Sequence, residues 1–430
     1  MAIRLSTADA DFEARFAALL AGKREVAEEV EAAARSIVED VRTRGDAALI
    51  DYTKKFDRLA LTPETLRIPA EEIGAAAGEI SAEQRDALAV ARDRIESYHR
   101  RQLPQDDRYT DAEGVELGTR WTAIEAVGIY VPGGTAAYPS SVLMNALPAR
   151  IAGVERIVMA TPTPDGKTNP LVLAAAQMAG VDEIYRIGGA QAIAALAYGT
   201  ETIAPVAKVV GPGRDFVAAA KRLVFGVVGI DMIAGPSEVL VVADAENDPE
   251  WIAADLLAQA EHDEAAQSIL VTDSAALAGR VADAIERQLK ALPRGEIAAA
   301  SWRDHGAIIT VRSLAGAIEL ANRIAPEHLE LAVAEPEKLL VRVRNAGAVF
   351  LGRHTPEVIG DYVGGPNHVL PTARSARFSS GLSVFDFMKR TSILKLGPDQ
   401  LRQLARPAIA LAEAEGLDAH ARSLAVRLNL

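Results

Sequence analysis

The 430-residue chain contains no cysteine. That absence excludes disulfides, a thiolate nucleophile and a thiolate zinc site, so any metal must be held by imidazole, carboxylate or amide ligands. No apolar run approaches membrane-spanning length. The opening residues carry Arg4, Asp9 and Asp11 where a secretory signal needs an unbroken apolar stretch, so a cytoplasmic protein is expected. Basic residues are in deficit, 46 against 59 acidic, and the net charge of −13 argues against nucleic acid or an anionic membrane as partner. A strict Gly-x-Gly-x-x-Gly is also missing, which removes the conventional dinucleotide fingerprint.

What is present is an ordinary globular composition, 49% apolar and 24% charged, rich in alanine and hence in helix. The length calls for two or three domains. Residues 1–125 read as an N-terminal helical region, with amphipathic stretches at 26–41 and 81–101 and breaks near Gly45 and 61–69. It offers no candidate chemistry and is expected to pack on the body or on a partner subunit. His99, followed by Arg100 and Arg101, reads there as a solvated residue. From 126 the texture changes to β-branched runs at 127–131, 156–160, 183–187 and 206–210, alternating with alanine-rich helices. A second set follows, with strands at 238–243, 268–272, 307–311 and 348–351 and helices near 249–262 and 275–289. The expected fold class is α/β, with two Rossmann-like parallel-sheet units at 126–236 and 237–390 and a C-terminal helical arm at 391–430.

Glycine clusters close three strands of the first unit, in VPGGT (131–135), IGGAQ (187–191) and VGPG (210–213). Glycines there let backbone amides approach phosphates at helix N-termini, although ordinary βα turns would look the same. In the second unit, Gln259 and His262 stand three apart at the end of an apolar-striped helix. Their carboxamide oxygen and imidazole nitrogen can converge on a divalent metal, or simply form a polar cluster. Glu327 and His328 follow Pro326 and are expected on a loop, as two proton-transfer groups of different basicity. A loop punctuated by proline and glycine at 355–372 contains Asp361 and His368, and the tail carries Glu415 and His420. His305 and His354 read as surface or loop residues.

Seven motifs in order, GIYVPGG (128–134), GGAQAI (188–193), DMIAGPSE (231–238), QAEHD (259–263), PEHLE (326–330), GDYVGG (360–365) and EGLDAH (415–420), closely resemble the histidinol dehydrogenase family over essentially the whole chain. The resemblance implies a zinc-dependent homodimer that oxidises L-histidinol through histidinal to L-histidine, consuming two NAD. It places the metal ligands on Gln259, His262, Asp361 and, from the other subunit, His420. The catalytic pair falls on Glu327 and His328. Substrate contacts fall on Ser237, Gln259, His262, His328, Asp361, Glu415 and His420, and cofactor contacts on Tyr130, Gln191 and Arg214. Arg214 departs from the family, which usually has asparagine there; an arginine brings charge and reach but not an amide's donor and acceptor pair. A metal-dependent hydrolase and a related zinc dehydrogenase of another hydroxylated metabolite are the alternatives.

Overall fold

A computed structural model of the chain describes residues 2–22, 28–133, 138–233 and 235–429. Val26 of the expected first helix, Gly134 and Thr135 of the first glycine cluster and Ala234 of DMIAGPSE lie outside the described residues. The chain divides into two compact units, one of residues 1–102 and 125–387, the other of 103–124 and 388–430.

The first unit opens with strand β1 (Ile3–Ser6) and the helices Phe12–Ala21, Glu28–Arg44, Asp46–Asp57, Ala70–Glu79 and Ala82–Arg100. The last of these begins where the sequence places its signal. Ser81 Oγ accepts from Gln84 N at 3.1 Å while the Gln84 carboxamide oxygen accepts from Ser81 N at 3.0 Å, a capping box that satisfies two otherwise free amides.

Because strands β2 (Asp107–Thr110) and β3 (Glu116–Ala123) belong to the second unit, the first unit resumes with β4 (Ala126–Tyr130), β5 (Arg156–Ala160), β6 (Glu183–Tyr185), β7 (Lys208–Val210) and β8 (Gly229–Ile230). These five pair in parallel in the order β6-β5-β4-β7-β8. A second parallel sheet contains β9 (Glu238–Ala243), β10 (Gln267–Thr272), β11 (Ala307–Thr310), β12 (His328–Ala332) and β13 (Ala348–Leu351), in the order β1-β11-β10-β9-β12-β13. Every residue of β4 and β9 is buried, as expected of strands covered by helices on both faces.

The N-terminal helices pack on these sheets. Val41 and Leu49 join Tyr130 and Ile193 in one core, and Phe12 and Phe16 join Leu240 and Ile309 in another. Of the two expectations for this region, packing on the body is therefore the observed one. Each sheet reverses its direction of growth once, between β4 and β7 in the first and between β9 and β12 in the second. A crevice forms at such a reversal because successive connections leave to opposite sides.

The second unit pairs β2 and β3 antiparallel with β14 (Met388–Lys395), and two helices follow, Pro398–Ala414 and Asp418–Leu428. The helical arm is thus present, joined by a sheet whose strands the sequence did not announce.

Candidate active site

The chemistry-bearing residues of the second sheet gather at the amino ends of its strands, at the β9/β12 reversal. The expectation of a loop holds for Glu327, in the bend before β12, and is corrected for His328. His328 opens β12 in register with Val239, and both residues are buried. His328 Nδ1 lies 3.0 Å from the Glu238 carbonyl oxygen, which can only accept, so Nδ1 carries the proton. The Nε2 lone pair is buried, without a hydrogen-bond partner among the described residues, and 3.9 Å from Asp361 Oδ1. Burial holds this imidazole below its ordinary pKa, which favours the neutral, proton-accepting form. Glu327 Oε2 accepts from the Glu238 amide at 2.8 Å and stands 3.7 Å from His328 Nδ1.

Asp361 also departs from expectation, lying in the last turn of the short helix Glu357–Tyr362. His368 lies beside it, with Nδ1 donating to the Asp361 carbonyl at 2.9 Å and Nε2 left to accept from Ser141 Oγ at 3.4 Å. Helix Pro249–Ala260 ends two residues before His262, yet the expected pair meets: Gln259 Nε2 and His262 Nδ1 are 3.3 Å apart. Gln259 is fully buried and its Oε1 has no donor among the described residues. A carbonyl oxygen held this way, at the negative end of a helix dipole, suits a cation. His262 lies near enough to both His328 and His368 for its charge to act on their pKa values. Among the described residues, however, no three His, Asp or Glu side chains stand together at metal-holding spacing. Ser237, half-buried, immediately precedes β9. His328, Asp361 and His368 line a cavity of about 920 Å³ together with Arg94, Tyr98 and Phe350.

Several residues escaped the sequence reading. Glu357 is 1% exposed, both carboxyl oxygens lack hydrogen-bond partners among the described residues, and Oε2 is 3.4 Å from His328 Nδ1. Burial, then the neighbouring Asp361, Glu330, Glu327 and Asp255 carboxyls, push its pKa well up. Behind it, burial raises Asp255 to about 6, and burial with the Asp255 charge raises Glu330 well above the ordinary range. His99 is fully buried, not solvated. Its Nδ1 contacts the Ile95 carbonyl at 2.8 Å, and its Nε2 approaches Asn367 Nδ2 at 3.5 Å. Arg94, on the same helix, donates to the carbonyls of Val363 and Gly364. Helix Ala82–Arg100 thus holds the segment that carries Asp361 and His368, and a region read as free of chemistry positions it. Only the polar residues protruding from a helical pattern could have hinted at this, and they look the same when solvated.

The first sheet presents its groups at the opposite, carboxyl ends of the strands. Tyr130 ends β4, with its hydroxyl accepting from Gly189 N at 3.1 Å and burial pushing its pKa up to about 12. Gln191 lies in the first turn of helix Gly189–Tyr198 and Arg214 directly precedes helix Asp215–Val224, so both stand at helix N-termini, where anions bind. Gly211, at φ +112°, passes so close to Tyr130 that a Cβ would fall 2.1 Å from its carbonyl oxygen, which explains the glycine. A buried Lys221–Asp231 ion pair fixes this turn: Asp231 Oδ2 accepts from Gly211 N at 2.9 Å and Lys221 Nζ donates to Gly211 O at 3.1 Å.

Glu415 and His420 belong to the second unit, Glu415 ending helix Pro398–Ala414 and His420 in the first turn of Asp418–Leu428, both exposed.

The family model described as histidinol dehydrogenase matches residues 21–428. Histidinol dehydrogenase of Bradyrhizobium diazoefficiens is 69% identical over 430 residues, covering 100% of each chain. That of Agrobacterium fabrum is 69% identical over 429 residues, covering 100% of this chain and 99% of its own. A crystal structure of histidinol dehydrogenase from Elizabethkingia anophelis matches the fold with a TM-score of 0.95 at 38% identity, over 100% of this chain and 98% of that one.

Proposed function

The chain belongs to the histidinol dehydrogenase family, oxidoreductases acting on the CH–OH group of histidinol in the final steps of histidine biosynthesis, and we propose that it works as a zinc- and NAD-dependent cytoplasmic homodimer. The observation that carries the reading is that two buried groups lack partners among the described residues, the His328 Nε2 lone pair and the Gln259 amide oxygen, with His262 3.3 Å from Gln259 and near enough to His328 to act on its pKa.

The donor set fits zinc: the Gln259 carbonyl, the His262 imidazole and the Asp361 carboxylate contain no sulfur and leave room for a fourth ligand, assigned to His420 of the partner subunit. When bound, zinc supplies Lewis acidity and a template for the substrate's nitrogens. The carboxyl ends of the first sheet fit NAD, because Gln191 Oε1 is buried without a donor among the described residues and two helix N-termini open there, near Tyr130 and at Arg214. NAD supplies the hydride acceptor, once for each of two oxidations.

The protein's own groups do the proton work. His328 Nε2 takes the alcohol proton, while the Glu238 carbonyl holds the ring in the tautomer that leaves Nε2 free. Glu327, anchored on the Glu238 amide, takes a proton from water as the water adds to the aldehyde, and return of that proton to the former carbonyl oxygen gives the diol that is oxidised next. Ser237, Glu415 and His420 are assigned to substrate contact, the last two across the dimer. Arg214 offers its charge to a pyrophosphate but cannot cap the helix it precedes as an asparagine would.

A steady-state assay of the purified protein with L-histidinol and NAD tests the proposal. Two NADH per histidinol consumed, with histidine as product, is the expected stoichiometry. Hydrolytic turnover without NADH, or NADH only from another alcohol, would overturn it.

A further inference from the structure

Helix Asp46–Asp57 ends at the carboxyl edge of the first sheet. Its successor Arg58, at φ 55°, turns the chain and forms a bidentate pair with Asp165 in the loop after β5, at 2.7 and 2.6 Å. Leu59 then packs on Gly166 in the same loop. This clamp leaves Asp57 within electrostatic reach of Tyr130 at the end of β4, where its charge adds to burial at the phenol. Asp57 is 8% exposed, and its Oδ2 has no hydrogen-bond partner among the described residues. Two further polar atoms lack partners at this edge: Thr163 Oγ1 in the loop after β5, in a residue 1% exposed, and Gln191 Oε1 in the first turn of the helix after β6, in a residue 2% exposed.

Buried polar atoms are rarely left unpaired, and three along one strand edge mark a place where a ligand brings the missing groups. A carboxylate and an amide carbonyl only accept, so the ligand must donate, as hydroxyl groups do. A phosphate offers no such donors, and its charge opposes that of a buried carboxylate. In dinucleotide-binding sheets an acidic side chain beyond the strand ends accepts from the ribose hydroxyls, while an arginine there accommodates a 2′-phosphate.

We propose that Asp57 is the acceptor for a ribose diol of the dinucleotide and selects NAD against its 2′-phosphorylated form. The inference rests on the reading of NAD at this edge. It also assigns chemistry to the N-terminal helices, which sequence reasoning treated as packing material.

The test is direct binding to the full-length protein by calorimetry, with Asp57→Asn and Asp57→Ser beside wild type. Wild type should bind ADP-ribose roughly ten- to a hundredfold more tightly than 2′-phospho-ADP-ribose, the range that a hydrogen bond to a charged group commands. Both variants should lose most of that ratio while binding histidinol unchanged. A ratio that survives in the variants, or a fall of equal factor for both ligands, overturns the inference. Should neither variant fold, wild type alone still decides, because 2′-deoxy-ADP-ribose must bind about tenfold more weakly than ADP-ribose, and equal binding refutes the assignment. If wild type binds NAD but shows no preference, Asp57 is misassigned. If it binds neither NAD nor ADP-ribose, the cofactor reading and this inference fall together.

Discussion

His328 can act as a base only through Nε2, because the Glu238 carbonyl at 3.0 Å occupies its other nitrogen. Glu327 accepts from the Glu238 amide at 2.8 Å through Oε2, which holds the carboxylate in place without using up its capacity to take a proton. The two groups are therefore held in place by the same residue's backbone, and the different jobs proposed for them can be separated by mutation. His328→Asn is expected to suppress oxidation of histidinol by about a hundred- to ten-thousandfold, the usual contribution of a general base, whereas Glu327→Gln mainly impairs oxidation of supplied histidinal. Steady-state rates on both substrates for both variants check this, and equal losses everywhere would show that the pair acts as one unit. At this scale Gln259 and His262 were legible, because a three-residue spacing at a helix end brings side chains together wherever the helix sits. Asp361, Glu327 and His328 stood out locally as polar groups near proline and glycine, but only whole motifs tied them to one site. Glu357 was not legible at all, since nothing local distinguishes a buried glutamate after a proline from a solvated one.

Among elements, the strands that could be read were those buried on both faces, such as Ala126–Tyr130 and Glu238–Ala243, where apolar residues run without interruption. Strands β2, β3 and β14 escaped because exposed, charged residues along them leave no apolar signature, and β1 is a four-residue strand with one buried side chain. Helix Pro249–Ala260 packs on β9 and β10 and brings the half-buried Asp255 to the buried Glu330 of β12, whose Oε1 accepts from Glu357 N at 2.7 Å. Both folded-state pKa values lie above the unfolded ones, so the folded protein holds the extra protons. The associated stability is complete below the unfolded carboxylate range and is lost as pH rises through about 6, where Asp255 titrates. Glu330→Gln should flatten that loss, so that the fall in Tm between pH 5 and pH 7.5 is smaller than in wild type by roughly 1 °C, about 1 kcal/mol for a chain of this size. Parallel Tm profiles of the metal-loaded proteins would show that the pair carries no such linkage.

For the whole molecule, the proposed function divides the labour of the two sheets by opposite edges: nucleotide binding at the carboxyl ends of the first, proton transfer at the amino ends of the second. The second edge departs from the rule that ligands bind beyond strand carboxyl ends, because its side chains are delivered by helix ends and strand starts. Within one protomer's described residues the ligand set stops short of a closed site. The remaining expected donor, His420, is exposed in the second unit, on a pair of helices that also exposes Leu411, Leu417 and Val426. An apolar arm of this kind gains by burial against another copy, and a two-fold operation that buries one arm buries both and completes two sites at once. Co-expression of His262→Ala with His420→Ala tests the sharing. Each parent homodimer has two broken sites, whereas a mixed dimer collects both defects in one site and leaves the other whole. Random pairing makes about half of the dimers mixed, with one good site of two, so roughly a quarter of wild-type activity should return. If heterodimers are demonstrated by mass spectrometry and the mixture stays as inactive as its parents, His420 serves its own chain's site or none.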